Sequence, residues 1–148
     1  MITLLRTVIL SLTLTLSASS IALAQEQRST TEDSQNQSTW VAFLPHQVFD
    51  LLGSERASAH EDAMQLVLRK GALKDAEGNR KFDFSLAAPR LLDIYTSDEH
   101  TGRRLLALEA LRVVGGPYVA VELRERLRTE DSELIRRRTA VAITTLEE

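Results

Sequence analysis

The sequence has no cysteine among its 148 residues. That excludes disulfides, thiolate metal sites, a cysteine nucleophile and a lipid-modified cysteine. Histidine is scarce as well: His46, His60 and His100 stand apart, none at ligand spacing from another. The acids beside them, in His60-Glu61-Asp62 and Glu99-His100, occupy neighbouring helical positions, which point apart and cannot share an ion. No metal and no cofactor are expected. The six glycines build no phosphate-cradling loop. No G-x-S-x-G elbow presents a serine, and acid pairs such as Glu130-Asp131 suit a helix start better than general acid–base work. No catalytic residue is assigned. Aromatics are 5% of the chain, and the one tryptophan, Trp40, sits with Phe43 among aliphatics, where core is expected. A formal charge of −3 offers nothing to a nucleic acid.

Two segments precede any folding pattern. Residues 1–24 read as a secretory signal: Arg6 supplies the positive start, TVILSLTLTL from Thr7 an uncharged apolar stretch, and Ala22-Leu23-Ala24 the small residues before cleavage. A retained membrane anchor is the alternative, because the uncharged run is nearly long enough to span. Its serines and threonines and the Ala-Leu-Ala ending favour cleavage, after which no stable membrane insertion is expected. Loss of Arg6 takes the charge to −4. Residues 25–39 contain no large apolar side chain to offset the entropy of ordering and read as a disordered polar linker.

From residue 40 to 148 the pattern is helical. A capping element runs from Trp40 to Leu52, with Pro45 placed in the first turn of a helix ended by Gly53. Ser58-Ala59-His60-Glu61 fits a capping box ahead of Ala63, Leu66 and Val67, and that helix fades near Gly71. Residues 75–81 (DAEGNRK) make a turn-rich loop, after which Phe82 and Phe84 fold back over the core. A helix follows from about Ser85 to Thr96 on Leu91, Leu92, Ile94 and Tyr95. Ser97-Asp98 caps the next, 99–114, with Leu105, Ala107, Leu108, Leu111 and Val114 as its apolar set. Gly115-Gly116 ends it and Pro117 opens a helix expected to bury Val119, Val121, Leu123 and Leu127. Thr129 or Asp131 caps the last, with Leu134, Ile135, Ala140, Val141 and Ile143 inward. The expected class is all-α.

An internal repeat organises these helices. Residues 102–108 (GRRLLAL) align with 135–141 (IRRRTAV) at a spacing of 33, as do Asp98 and Asp131; Leu91 and Tyr95 align with Leu123 and Leu127 at 32. Such a period with two helices per unit marks a solenoid. Asp98-Glu99-x-x-x-Arg103-Arg104-x-x-Ala107-Leu108-x-Ala110-Leu111-x-x-x-Gly115 resembles a HEAT repeat, in the short bacterial form related to phycobilisome-lyase repeats. Asp131-x-x-x-x-Arg136-Arg137-x-x-Ala140-Val141 starts the next unit, and Ser54 to Asp98 resembles a looser one with an insertion at 71–81. The resemblance covers about two and a half units of a right-handed α-α superhelix. It departs at Thr144, where the preceding unit has Leu111, and the last helix is left with an apolar face uncovered by its own sequence.

The arginines at 103, 104, 136, 137 and 138 could form an anion patch. The resemblance instead places arginine there to bond the turn carboxylates Asp98 or Asp131, with Glu99, Glu130 and Glu133 beside them. It also puts second helices on a concave surface, where Arg90, Asp93, Glu122, Arg124, Glu125 and Arg126 form a mixed-charge candidate face for a partner, or an ordinary solvated face. The resemblance implies a non-enzymatic adaptor whose partner is another protein, held by the concave face or by the uncovered C-terminal helix, the latter a possible route to self-association. The leader implies a periplasmic or secreted location. Nucleic acid is not expected: HEAT-like DNA glycosylases use a basic groove with aromatics, and Trp40 lies outside the repeats. The alternative is a lyase-like accessory of an enzyme complex.

Overall fold

The computed structural model describes residues 39–148. The signal and linker assigned to 1–39 therefore lie outside the described residues, except Thr39, which is already helical. Val41–Glu148 forms one compact unit.

The described residues are overwhelmingly helical, and the all-α expectation holds. Helix α1 occupies residues 39–52, α2 Ala57–Lys70, α3 Ala88–Ser97, α4 Thr101–Val114, α5 Pro117–Leu127 and α6 Glu133–Glu147. A single 3-10 turn, Ser85–Ala87, leads into α3. Among the described residues β-pairing amounts to one isolated bridge, Lys74 with Arg80, across the turn through Gly78. Helix α4 is the centre of the packing, touching α2, α3 and α6, while α5 packs on α6 and lightly on α3. No helix among the described residues is long and apolar enough to cross a membrane.

One core runs through all six helices, from Leu44, Val48 and Leu52 of α1 to Ile135, Ala142 and Ile143 of α6. Each fully buried aliphatic contributes roughly 1.5–3 kcal/mol over an exposed one. Phe82 and Phe84 return to that core as anticipated, their rings stacked at 6.0 Å. The preceding loop is tied down by Arg80, whose Nη1 donates to the Val114 carbonyl at the end of α4. Gly115 and Gly116 then take positive φ of 70° and 92°, which stops α4 and lets Pro117 open α5 without a steric cost.

Several sequence expectations need correction. Pro45 lies well inside α1, since the helix already runs at residue 39; lacking an N–H, it forgoes the bond to Val41. Trp40 and Phe43 are exposed where core was expected. Ser58 caps nothing: α2 starts at Ala57 without a side-chain cap, and the entry is held instead by His60 Nε2 donating to the Ser54 carbonyl at 2.6 Å. Ser132, rather than Thr129 or Asp131, caps α6 by accepting from the Ile135 N–H.

The repeat register also changes. Helices α4 and α6 begin 32 residues apart, and their turns match at that offset. Asp98 Oδ1 accepts from the His100 N–H at 2.7 Å, and Glu130 Oε1 accepts from the Ser132 N–H at 2.9 Å. Ala107, Ala110 and Leu111 are buried, as are Thr139, Ala142 and Ile143, again 32 on. The expected spacing of 33 instead pairs buried Leu108 with exposed Val141. In the corrected register Leu111 corresponds to Ile143, so the departure at Thr144 disappears.

Candidate functional site

Two places gather polar chemistry. The first lies where α3 and α4 meet the α5–α6 turn. Arg104 donates through Nε to the Tyr95 carbonyl at 2.7 Å and through Nη2 to Glu130. Beneath it, the Tyr95 hydroxyl shares a buried hydrogen bond of 2.8 Å with Thr139 Oγ1 of α6. Burial, with a smaller contribution from the Glu130 charge, pushes the Tyr95 phenol above its ordinary range; the Thr139 bond and Arg104 act the other way. A cleft of about 410 Å³ opens above this network, lined by Thr96, Arg104, Arg126, Thr129, Glu130 and Ser132. Arg104 and Glu130 satisfy each other, so the network is a clasp between successive helix pairs before it is a ligand site.

The second place is the start of α4. Asp98 binds Arg103 Nε at 2.7 Å, and Glu61 of α2 stands 3.8 Å from the same guanidinium. The Arg103 hydrogen bond holds the Asp98 carboxyl below its usual range, against an opposing effect of burial, and Asp98 in turn raises Arg103. Arg136 and Arg137 pair with Glu133 on their own helix. The arginine cluster is thus largely occupied by carboxylates, with Glu130 and Glu133 in the part expected of Asp131. Among the described residues no group of three His, Cys, Asp or Glu side chains is arranged to hold a metal ion.

The six residues singled out as a charged face do not act alike. Arg90 is half buried, its guanidinium 4.4 Å over the Phe49 ring and packed against Gly53, with Nε buried and unbonded. Asp93 is exposed, and its carbonyl accepts from the Thr96 and Ser97 hydroxyls. Arg124 reaches across to Glu147 of α6, Glu125 pairs with Arg128 at 3.6 Å, Glu122 is half buried, and Arg126 borders the cleft. Arg90 belongs to the α1–α3 contact, while Glu122, Arg124 and Glu125 sit on the outer part of α5.

Among those charges stand apolar side chains expected inside. Val121 is 51% exposed, Leu134 51% and Val141 64%, and Tyr118 is exposed as well. The reason is angular. Residues two apart on a helix point about 200° from each other, so a stripe holding Val119 and Leu123 turns Val121 outward. Likewise α6 buries Ile135, Thr139, Ala142 and Ile143, spaced 4, 7 and 8 from the first, which leaves Leu134 and Val141 on another face. In the 32-residue register Leu134 and Val141 correspond to Gly102 and Glu109 of α4, whereas a spacing of 33 sets Val141 against buried Leu108.

No family model, curated protein or solved structure matches this chain.

Proposed function

We propose that the chain is an exported, non-enzymatic protein-binding module, built as a short HEAT-like right-handed solenoid and presenting the α5–α6 pair to its partner. The observation that carries this reading is the distribution of exposed apolar side chains. Eight large ones are exposed among the described residues, and four of them, Tyr118, Val121, Leu134 and Val141, belong to the α5–α6 pair. Single exposed leucines or valines are ordinary, but four on one helix pair, interleaved with Glu122, Arg124 and Glu125, have the composition of a protein interface. Matching turns and burial 32 residues apart support the solenoid reading, in which paired helices offer an extended surface. The leader pattern at 1–24 supports export.

The test is site-specific capture in the native host. A photo-crosslinking residue at position 118 or 121 should trap a specific protein that the same residue at Asp93, on α3, does not. With the probe at 121, Tyr118→Glu should abolish that product while leaving the circular dichroism and melting curve unchanged. Equal labelling at 93, 118 and 121 would count against the α5–α6 surface. A crosslink found only with cytoplasmic proteins would remove the export part.

A further inference from the structure

The charge order along α6 is contrary to what a helix prefers. Arg136, Arg137 and Arg138 lie in its first half, and Glu147 and Glu148 at its far end. The partial charges of a helix favour acids at the start and bases at the end, so this arrangement costs stability that something else must offset. Part of the offset is internal, since Glu133 takes Arg136 and Arg137, and Arg124 takes Glu147. Among the described residues Arg138 and Glu148 make no ion pair. Both fall on one exposed stripe: Leu134, Arg138, Val141, Thr145 and Glu148 follow at steps of 4, 3, 4 and 3, the spacing of a single helical face.

That stripe is complementary to itself when reversed. We propose, building on the protein-binding reading above, that its partner is a second copy of this chain, docked antiparallel through α6 with Val141 at the two-fold axis. In that pairing Val141 meets its own copy, and Leu134 lies along the stem of the second copy's Glu148. Arg138 comes within a turn of that carboxylate. The basic half of each helix faces the acidic half of the other and the helix dipoles oppose. Every contact away from the axis occurs twice, as a closed isologous interface requires. A helix of 15 residues spans about 22 Å, so the interface is small and the dimer weak and reversible.

The absence of cysteine makes the test direct. Val141→Cys should form a disulfide-linked dimer under mild oxidation, at least about ten-fold faster than Leu73→Cys in the exposed loop, because bridging needs Cα atoms within about 7 Å. Leu134→Cys should crosslink poorly, since antiparallel docking sets the two copies of residue 134 far apart. Adding R138E to the Val141→Cys chain should slow the reaction, and adding E148R as well should restore it. Equal rates at 141 and 73, efficient crosslinking at 134, or no rescue by the charge swap would each overturn the proposal. Failure here together with capture of a different protein at 118 or 121 removes self-docking and leaves the binding module standing. Failure of both experiments removes both.

Discussion

Tyr95 and Thr139 are 44 positions apart in sequence and joined by one buried hydrogen bond, so among the described residues each hydroxyl finds its partner in the other. Tyr95→Phe or Thr139→Val alone should cost about 1–3 kcal/mol in urea unfolding, and the double substitution clearly less than the sum. Additivity within error would show that the two hydroxyls do not depend on each other. Tyr95 also has an alkaline signature. Its phenol titrates higher in the folded chain, so this contribution is fully present below the ordinary tyrosine range and is lost as pH rises through the folded value. Asp98 works at the other end. Its carboxyl is depressed by Arg103, so its contribution is present above the ordinary carboxylate range and lost as pH falls through the lower folded value. Asp98→Asn should therefore be destabilising at neutral pH, with the gap to wild type closing below about pH 4. A gap that is constant down to acid unfolding would mean that the ion pair contributes nothing. The acid and the arginine were readable as a turn motif; the tyrosine–threonine pair was not, because nothing local indicates which buried hydroxyl meets which.

Among the elements, α2 ends on a glycine that has an ordinary right-handed backbone, φ −69°. The requirement at Gly71 is space: a Cβ there would lie 2.4 Å from Val113 Cγ1 and 2.8 Å from the Val67 carbonyl oxygen. Gly71→Ala should consequently destabilise by about 1–3 kcal/mol despite the better helix propensity of alanine. Val113→Ala in the same chain should relieve only part of that, since the Val67 contact remains. A melting temperature raised by Gly71→Ala would refute the close α2–α4 approach. Sequence alone placed the helix end at this glycine correctly and missed its cause, because the clash is with α4. The same division holds in α5 and α6, whose existence was legible from their apolar content, as was the start of α5 from Gly116 and Pro117. Their facing was not, because a shift of one residue turns a helix by about 100° and moves Val141 between core and surface.

At the scale of the molecule, α1 precedes the repeated helices yet supplies Leu44, Val48 and Leu52 to the shared core. Leu52→Ala should cost about 2–5 kcal/mol, the range for emptying a closed core site. The unfolding of the chain should remain a single transition, followed equally by far-ultraviolet circular dichroism and tyrosine fluorescence. Two separable transitions, with α1 melting first, would show that it is an appendage. Arg90 links the same regions, stacking over Phe49 and filling the space beside Gly53, which explains why a residue proposed for a partner face is engaged within the chain.

Composition and period determined a great deal unaided: no thiol chemistry, an all-helical class, the helix ends at Gly71, Gly115 and Gly116, and an internal similarity read at a spacing of 33. Those follow from covalent identity and local backbone preference, which act over a few positions. The tertiary structure decided the exact repeat register, the partners of the arginines, the burial of Thr139 and the exposure of Tyr118, Val121, Leu134 and Val141. These depend on which helix packs beside which, and a 3.6-residue period leaves several rotations of α5 and α6 nearly equal until α3 and α4 are placed against them.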